Sequence, residues 1–295
     1  MANGMMLERR DVLRLAGLGG VVLASGLGPW GRALAAAGQD FSFVQMTDTH
    51  WGFEAPPINP EARTTLKRAV AAVNALQHQP DFIVFTGDLT HNTNDDAERQ
   101  KRMNEFKTIV SDLKTKSIIY LPGEHDAGLD GGVVYRSIFG DPTVSFEHKG
   151  VHFVTLDNVS DPTGAIGDSQ LQWLQADLAK LAKDQPIVVF THRPLFDLYP
   201  QWDWATKDGA KVLDILTPFQ NVTVFYGHIH QQHHHMTGRI AHHSAESLIF
   251  PQPAPGSQPK RAPVPWDKDH PYRGLGFRST EASNGAFKIT ENGIG

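Results

Sequence analysis

Phe82-Ile83-Val84-Phe85-Thr86-Gly87-Asp88 is the stretch that decides the fold, because an apolar run ends abruptly there in glycine and aspartate. A short run of this kind, bounded by a polar turn, is typical of a buried strand. Four other apolar segments also end in polar clusters rich in carboxylates and histidine. Those clusters are Asp48-Thr49-His50, Gly123-Glu124-His125-Asp126, Thr191-His192 and Gly227-His228-Ile229-His230. The sequence therefore predicts five strands whose carboxyl ends carry similar side chains.

Helical patterns alternate with these strands. Helices are predicted over 59–76, 95–114, 168–181 and 207–216, where apolar residues recur every three or four positions. A β-hairpin is predicted around Gly150, and short β segments dominate after the last cluster. Residues 251–271 are rich in proline and predict a long surface loop or lid. The first half therefore predicts an α/β protein with a largely parallel sheet, and the β-rich remainder predicts a second sheet packed against it.

The position of the polar clusters predicts a binding site. Ligands bind beyond the carboxyl ends of the strands in open α/β sheets, so five strand ends can converge on one place. Alternate residues of an extended segment share a face, so both members of each Asp-x-His or His-x-His pair can point at one site. Each motif alone is weak, because such short patterns are common by chance. Together, four histidines and three or four carboxylates can hold two divalent cations.

Composition excludes several classes of function. The 295-residue chain has no cysteine, which rules out disulfides, thiolate metal sites and cysteine nucleophiles. Its formal net charge of −5 gives no support for a stable nucleic-acid partner. The 15 histidines supply neutral imidazoles, which together with carboxylates suit transition metals.

Residues 1–37 have the composition of an export signal. Arg9-Arg10 precedes a weakly apolar, glycine-rich run from Val12 to Leu27, and small residues follow at 33–37. The arginine pair resembles the twin-arginine type of signal, which implies the twin-arginine export machinery as a partner and a periplasmic or secreted location. An uncleaved membrane anchor is the alternative, although the run is short for a spanning helix. The predicted domains are a signal peptide at 1–37 and one catalytic domain at 38–295.

The five clusters, in this order, resemble the signature of the calcineurin-like metallophosphoesterase superfamily, which reads D-x-H, GD, GNH-[ED], H and GH-x-H. The resemblance covers about residues 41–235 and includes GDSQLQWLQADL at 167–178, which is similar to a helix of that family. It implies an α/β four-layer sandwich with two mixed β-sheets flanked by helices. It also implies hydrolysis of a small phosphate ester, either a phosphodiester or a phosphomonoester, with nucleotides among the candidates.

The resemblance also assigns roles by position. Seven residues would bind metal: Asp48, His50 and His230 at the first ion, Asp88 as the bridge, and Glu124, His192 and His228 at the second. His125 would be the catalytic histidine, and Asp126 would hold it through a hydrogen bond. The implied cofactors are two divalent or trivalent transition-metal ions (iron, manganese or zinc), which would activate a bridging hydroxide for attack on phosphorus.

Glu124 departs from the family pattern, which has asparagine at this position. Two divalent cations, a hydroxide and the carboxylates of Asp48, Asp88 and Glu124 sum to zero charge, whereas asparagine would leave the cluster at +1. We therefore expect tight metal binding and a preference for singly charged phosphodiesters. Two alternatives stay open: Glu124 merely marks a subfamily, or it leaves a catalytically weakened metal- or phosphate-binding relative. The presence of His125 and Asp126 argues against the weakened relative.

Several other side chains have both a functional and a structural interpretation. His91 would touch substrate or be a solvated loop histidine. His233–His235 and His242-His243 would extend the metal site or, as we favour, lie on the surface. The aromatic residues that follow His192 would form a lip over the site or pack their own loop down. They are Phe196, Tyr199, Trp202 and Trp204.

Overall fold

The computed structural model describes residues 22–24, 40–283 and 286–295. Apart from Val22–Ala24, which form a short strand, the predicted signal segment lies outside the described residues. The twin-arginine signal, its cleavage and the resulting location therefore stay predictions. Within the described part of the chain, the structure contains no helix with the length and apolar character needed to cross a membrane.

The described elements alternate as the sequence predicts over most of the chain. The strands are β1 (Val22–Ala24), β2 (Phe41–Met46), β3 (Phe82–Thr86), β4 (Ile118–Leu121), β5 (Ser145–His148), β6 (Val151–Thr155), β7 (Pro186–Phe190), β8 (Asn221–Tyr226), β9 (His233–Thr237), β10 (Ile240–Ser244), β11 (Gly276–Ser283) and β12 (Ala286–Gly293). The helices are α1 (Ala62–Asn74), α2 (Asp96–Val110), α3 (Glu124–Ala127), α4 (Val133–Phe139), α5 (Asp168–Leu178) and α6 (Gly209–Leu216), with a 3-10 turn at Pro200–Trp202.

Two mixed six-stranded sheets form the centre of the molecule. The first has the order β1-β12-β11-β2-β3-β4, and the second has the order β5-β6-β7-β8-β10-β9. Strands β2, β3 and β4 are parallel to one another, as are β6, β7, β8 and β10. The carboxyl ends of each parallel set therefore share one edge of their sheet, and the five polar clusters follow these ends.

Three apolar cores separate the four layers. Phenylalanines fill the space between the two sheets, where the buried ring of Phe43 contacts Phe82, Phe153, Phe190 and Phe225 at centroid distances of 5.2 to 6.2 Å. Helices α1, α2 and α4 cover the outer face of the first sheet, and α5 and α6 cover that of the second. The four-layer sandwich with two mixed sheets flanked by helices is confirmed.

The path of the chain differs from the sequence prediction in two respects. The β-rich remainder does not form the second sheet by itself, because β11 pairs antiparallel with β2 and so returns the chain to the first sheet. The first helix begins at Ala62 rather than at Asn59. The side chain of Asn59 accepts a hydrogen bond from the backbone N–H of Glu61 and donates to the carbonyl of Ile249, so it fixes a turn before the helix.

The histidines of β9 and β10 do not all lie on the surface. His234 is exposed, and His233 and His235 are half-buried, but His242 and His243 are buried. The surface interpretation is wrong for the last two because β10 lies between β8 and β9, with both faces covered. Neither ring nitrogen of His242 has a hydrogen-bond partner among the described residues.

We expect His242 to limit stability in acid. Burial, with the neighbouring histidines, lowers its pKa from 6.5 to about 3. The imidazole of His242 therefore binds a proton more readily in the unfolded chain than in the folded chain. The free energy of unfolding is not reduced by this residue above pH 6.5, and it falls as the pH drops towards 3. The replacement His242→Leu should remove about 2 kcal/mol of destabilisation at pH 5 and change stability little at pH 7. Urea unfolding of both proteins at pH 7 and pH 5 checks this. Equal acid losses in the two proteins would contradict it.

Candidate metal centre

The structure gathers the five strand-end clusters at one edge that the two sheets share. Asp48 and His50 follow β2, and Asp88 follows β3, in the first sheet. His192 follows β7, and His228 and His230 follow β8, in the second sheet. Glu124 begins the short helix α3 after β4. All seven residues assigned as metal ligands therefore lie in one site.

The ligand atoms of the seven assigned residues fall into two groups, and a third cluster of possible ligands, His50, His91 and His125, shares His50 with the first. Asp48, His50 and His230 form the first group, in which each residue offers one atom within 4.8 Å of the others. The Nε2 atom of His230 lies 3.3 Å from Oδ1 of Asp48 and 3.3 Å from Nε2 of His50. These three side chains are buried, so the group is a compact pocket with one carboxylate and two imidazoles.

The second group adds two carboxylates and two imidazoles: Asp88, Glu124, His192 and His228. Glu124 uses both oxygens, with Oε2 2.9 Å from Nε2 of His192 and Oε1 2.8 Å from Nδ1 of His228. Asp88 connects the two groups. Its Oδ2 atom lies 3.4 Å from Nε2 of His50 and 3.5 Å from Nε2 of His192.

Hydrogen bonds outside the site turn the ligand atoms inward. The Nδ1 atoms of His192 and His230 donate to the carbonyls of Thr86 and Phe250 at 2.7 and 2.8 Å, which leaves each Nε2 free. Oδ2 of Asp48 accepts hydrogen bonds from Thr47 and from the backbone N–H of His228, which leaves its Oδ1 free. Such outer contacts fix the orientation and tautomer of metal ligands.

Buried polar atoms without partners show that the residues fit a metal. Oδ1 of Asp48, Oε2 of Glu124, Nε2 of His192 and Nε2 of His228 are buried and make no hydrogen bond among the described residues. Oε2 of Glu124 and Nε2 of His192 lie 2.9 Å apart, but a neutral His192 that donates from Nδ1 has no proton on Nε2 to share. Unpartnered polar atoms of this kind are costly unless something else satisfies them. Two cations, one per group, would satisfy them, and mixed imidazole and carboxylate ligands suit first-row transition metals.

The electrostatics favour the metal-binding states of Glu124 and His50 but not that of His192, whose pKa, despite burial, is raised well above 6.5 by the carboxylates of Asp88 and Glu124. Burial opposes ionisation of Glu124, but the adjacent His228 and His192 hold its pKa well below the usual value. Burial, with the nearby His125 and His230, holds the pKa of His50 well below 6.5. The carboxylate is therefore ionised and the imidazole neutral at pH 7, which are the states that bind metal.

The backbone is strained at the site. Five of the seven assigned ligands have positive φ, which non-glycine residues adopt rarely: Asp48 (53°), His50 (41°), Asp88 (48°), His228 (67°) and His230 (51°). Such conformations cost of order 1–3 kcal/mol each and cluster at functional sites. The rest of the fold therefore imposes the backbone geometry at this edge of the molecule.

The three glycines of the motifs have different reasons to be glycine. The sequence suggests that each releases the backbone for a sharp turn, and Gly87 does have a φ of 101°. Gly123 and Gly227 have no positive φ and are needed for space instead. A Cβ at Gly123 would overlap the carboxylate of Asp88, and one at Gly227 would overlap the hydroxyl of Thr47.

His125 lies at the site, but its hydrogen-bond partner differs from the prediction. The predicted bond from Asp126 is wrong, because both oxygens of this buried carboxylate accept from the loop after β3 and from Gly123. Asp126 therefore ties two motif loops together. Nδ1 of His125 instead lies 3.2 Å from Oδ1 of Asn92, a residue that sequence reasoning missed. A polar residue four positions after Asp88 was the only available signal.

The structure also places His91 and the aromatic residues that follow His192. His91 is half-buried at the site, and burial, with the nearby His125, lowers its pKa to about 4, so the solvated-loop interpretation is wrong. Trp202 and Trp204 are buried in a cluster with Tyr226 and Ile229, against which Phe196 and Tyr199 pack. The aromatic side chains after His192 therefore hold their own loop against the body of the protein.

Two buried groups of imidazoles and carboxylates, joined by one aspartate at the carboxyl ends of two sheets, define a metal-dependent hydrolase. The model of the calcineurin-like phosphoesterase family matches residues 41–232, which is more than half of the chain. The chain belongs to the calcineurin-like phosphoesterase family. It is an enzyme of the metal-dependent phosphoesterase class, and the dependence of this family on two metals agrees with the two ligand groups.

Comparisons with known proteins agree with this family. A probable cyclic nucleotide phosphodiesterase of Rhodococcus erythropolis is 28% identical over 204 residues, which are 63% of this chain and 64% of that protein, less than two thirds of its length. Serine/threonine-protein phosphatase CPPED1 of Mus musculus is 28% identical over 218 residues, 65% of this chain and 70% of that protein. A dimetal phosphatase from Danio rerio shares the fold with a TM-score of 0.60 at 16% identity, covering 86% of this chain and 96% of that one.

We expect Gly123→Ala to damage the centre without unfolding the protein. The added methyl group would overlap both the carboxylate and the backbone nitrogen of Asp88 and so displace this residue, and a shift of about 1 Å at a reacting site can cost about 100-fold in rate. Metal content by mass spectrometry should fall together with phosphoesterase activity. Gly293→Ala is the matched control, because its Cβ would lie 4.0 Å from the nearest atom, the carbonyl oxygen of Leu275. Full metal content in the Gly123 variant would contradict this expectation.

Proposed function

We propose that this protein hydrolyses phosphodiesters with two transition-metal ions, one in each ligand group. Asp48, His50 and His230 would hold the first ion, and Glu124, His192 and His228 the second. The observation that supports this most directly is the position of Asp88, whose Oδ2 lies within 3.5 Å of one imidazole from each group. A single carboxylate oxygen placed in this way suits a bridging ligand.

The protein's own residues would then orient and neutralise the substrate. Bound cations of this kind polarise phosphoryl oxygens and supply hydroxide near neutral pH. His125 lies beside the centre, with its ring 4.6 Å from that of His50, and Nδ1 held by Asn92. We assign His125 to stabilising charge on the phosphoryl oxygens and to donating a proton to the leaving oxygen. Asp126 would serve indirectly, by fixing the loop on which His125 is carried.

The proposed preference for diesters rests on the net charge of the metal centre. Three carboxylates face the two cation positions, whereas the family pattern with asparagine has two, so the centre is one unit less positive. A monoester dianion loses more attraction from this change than a diester monoanion does. The name of the Rhodococcus erythropolis relative agrees with a diester substrate, and nucleotide diesters are the class we would test first.

The second candidate function is a weakened relative that binds metal or phosphate without turnover. It rests on the one departure from the family pattern, Glu124. Two observations argue for catalysis instead: both oxygens of Glu124 face histidines of the second group, so the glutamate does not disrupt it, and the candidate acid His125 lies with its ring centroid 4.6 Å from that of His50.

Metal dependence and turnover test the proposed function together. Metal-free protein, prepared with a chelator, should be inactive on bis-p-nitrophenyl phosphate, p-nitrophenyl phosphate and cyclic nucleotides. Two equivalents of Mn²⁺ or Zn²⁺ should restore activity, most strongly on the diesters. The variant Asp88→Asn should bind metal poorly and stay inactive after metal is added. Two bound metals without turnover of any of these esters would favour the binding protein.

Replacing Glu124 tests the charge argument. Glu124→Asn should shift the ratio of kcat/KM for monoester over diester upward by about tenfold, equivalent to about 1.4 kcal/mol. Glu124→Gln is the matched comparison, because it removes the charge and keeps the length of the side chain. Both variants should shift the ratio in the same direction. An unchanged ratio in both would show that Glu124 does not set the substrate class.

A further inference from the structure

The loop after β3 carries an imidazole that the metal-ligand assignment does not use. The ring of His91 lies half-buried between three other rings at the edge of the site. Phe53 meets it edge-on at 5.1 Å, and His125 stacks against it at 4.8 Å with an interplanar angle of 28°. Its Nδ1 lies 3.3 Å from Nδ1 of His50. His91 therefore contacts both a candidate metal ligand and the candidate acid.

The backbone of His91 is fixed from two sides. Its N–H donates to the carbonyl of Trp51 at 2.9 Å, which joins its loop to the one that carries His50. Its carbonyl accepts from Nη1 of Arg102 at 2.9 Å, and Arg102 is itself paired with Glu98 on α2. The ring is thus held against its neighbours, in contrast to the free ring of a solvated loop residue.

The geometry of His50 requires a hydrogen-bond acceptor. Nε2 of His50 faces the centre, 3.4 Å from Oδ2 of Asp88, so a neutral imidazole that binds metal there keeps its proton on Nδ1. The other two ligands with the same orientation, His192 and His230, donate their Nδ1 protons to backbone carbonyls. For His50, Nδ1 of His91 is the acceptor within reach among the described residues.

We propose that His91 is a positioning residue, whose Nδ1 accepts the Nδ1–H of His50 and whose ring face supports His125. The proposal rests on the proposed function, since it needs His50 to bind metal and His125 to act on substrate. The acceptor orients the ring of His50 and raises its basicity, and loss of such a partner typically costs 10- to 100-fold in metal affinity. The stacked ring limits the orientations of His125.

Two replacements separate the two contacts. His91→Phe keeps a ring for His125 and removes the acceptor for His50. His91→Asn keeps an acceptor close to the position of Nδ1 and removes the ring. His270→Phe is the control, because the side chain of His270 is 62% exposed and lies on the proline-rich loop.

The first measurement is metal affinity of the full-length apoprotein, titrated with Zn²⁺ or Mn²⁺ against a chromophoric chelator. His91→Phe should weaken one of two sites 10- to 100-fold, while His91→Asn and His270→Phe should match the wild type. Wild-type affinity in His91→Phe, or equal losses in both His91 variants, would overturn the proposal. Failure of the wild type to bind two ions would overturn the proposed function instead, so the two failures are distinguishable.

The second measurement is dependence on the leaving group, which a purely structural role would not alter. A p-nitrophenolate leaves without protonation, whereas an alkoxide needs an acid. His91→Asn should lower kcat about tenfold on a diester with an alkyl leaving group and little on bis-p-nitrophenyl phosphate. His91→Phe at saturating metal should keep the wild-type ratio. Equal losses on both substrates in His91→Asn would overturn the support of His125. If thermal unfolding shows a variant to be destabilised, His91→Asp replaces the asparagine, because its Oδ1 also lies close to the position of Nδ1, and His91→Tyr replaces the phenylalanine.

Discussion

The withdrawal of three carboxylates and four imidazoles from water, at an edge shared by two sheets, is the constraint on which the rest of the structure depends. Six of these seven side chains are buried, and Glu124 is 30% exposed. Buried ionised groups cost several kcal/mol each unless partners or metals compensate them. Without cations the carboxylates rely on neighbouring imidazoles, and buried atoms such as Oδ1 of Asp48 stay unpartnered. Two bound cations would complete this arrangement, so metal binding and the stability of this edge are coupled.

The four-layer core makes the strained edge tolerable. Five assigned ligands adopt positive φ, a backbone conformation that costs free energy even for aspartate and histidine, which adopt it more readily than most residues. The opposing free energy comes from away from the site, chiefly from the apolar layers on both faces of each sheet. The buried ring of Phe43 contacts phenylalanines of both sheets and so fixes their relative position. Contacts across the sheets, such as His192 with the carbonyl of Thr86, then set the distances within the centre.

The sequence predicts where the strands end because the pattern that marks each end is local. An apolar run followed by Gly-Asp or Gly-His predicts both the strand and the residue placed at its carboxyl end. Interactions that depend on tertiary contacts could not be predicted from the sequence. The family resemblance assigns Asp126 a hydrogen bond with His125, yet a helical turn directs its carboxylate to the backbone N–H groups of Leu89 and Thr90. The contact of Asn92 with His125 and the return of β11 to the first sheet likewise depend on chain segments far apart in sequence.

The difference between local patterns and tertiary contacts also explains why the type of reaction is better determined than the substrate. The assigned metal ligands lie at the ends of parallel strands, whose positions the hydrogen-bonded sheets fix, and this chain is 28% identical both to a probable cyclic nucleotide phosphodiesterase and to a serine/threonine-protein phosphatase. A substrate would meet loops and side chains that sheet geometry does not constrain, such as the loop that carries His91 and Asn92. Glu124 belongs to both categories, because it faces His192 and His228 from the first turn of a helix and would also contribute charge where the phosphate approaches. We therefore expect a single residue at that position to shift the preferred ester while the fold and the other assigned ligands stay the same.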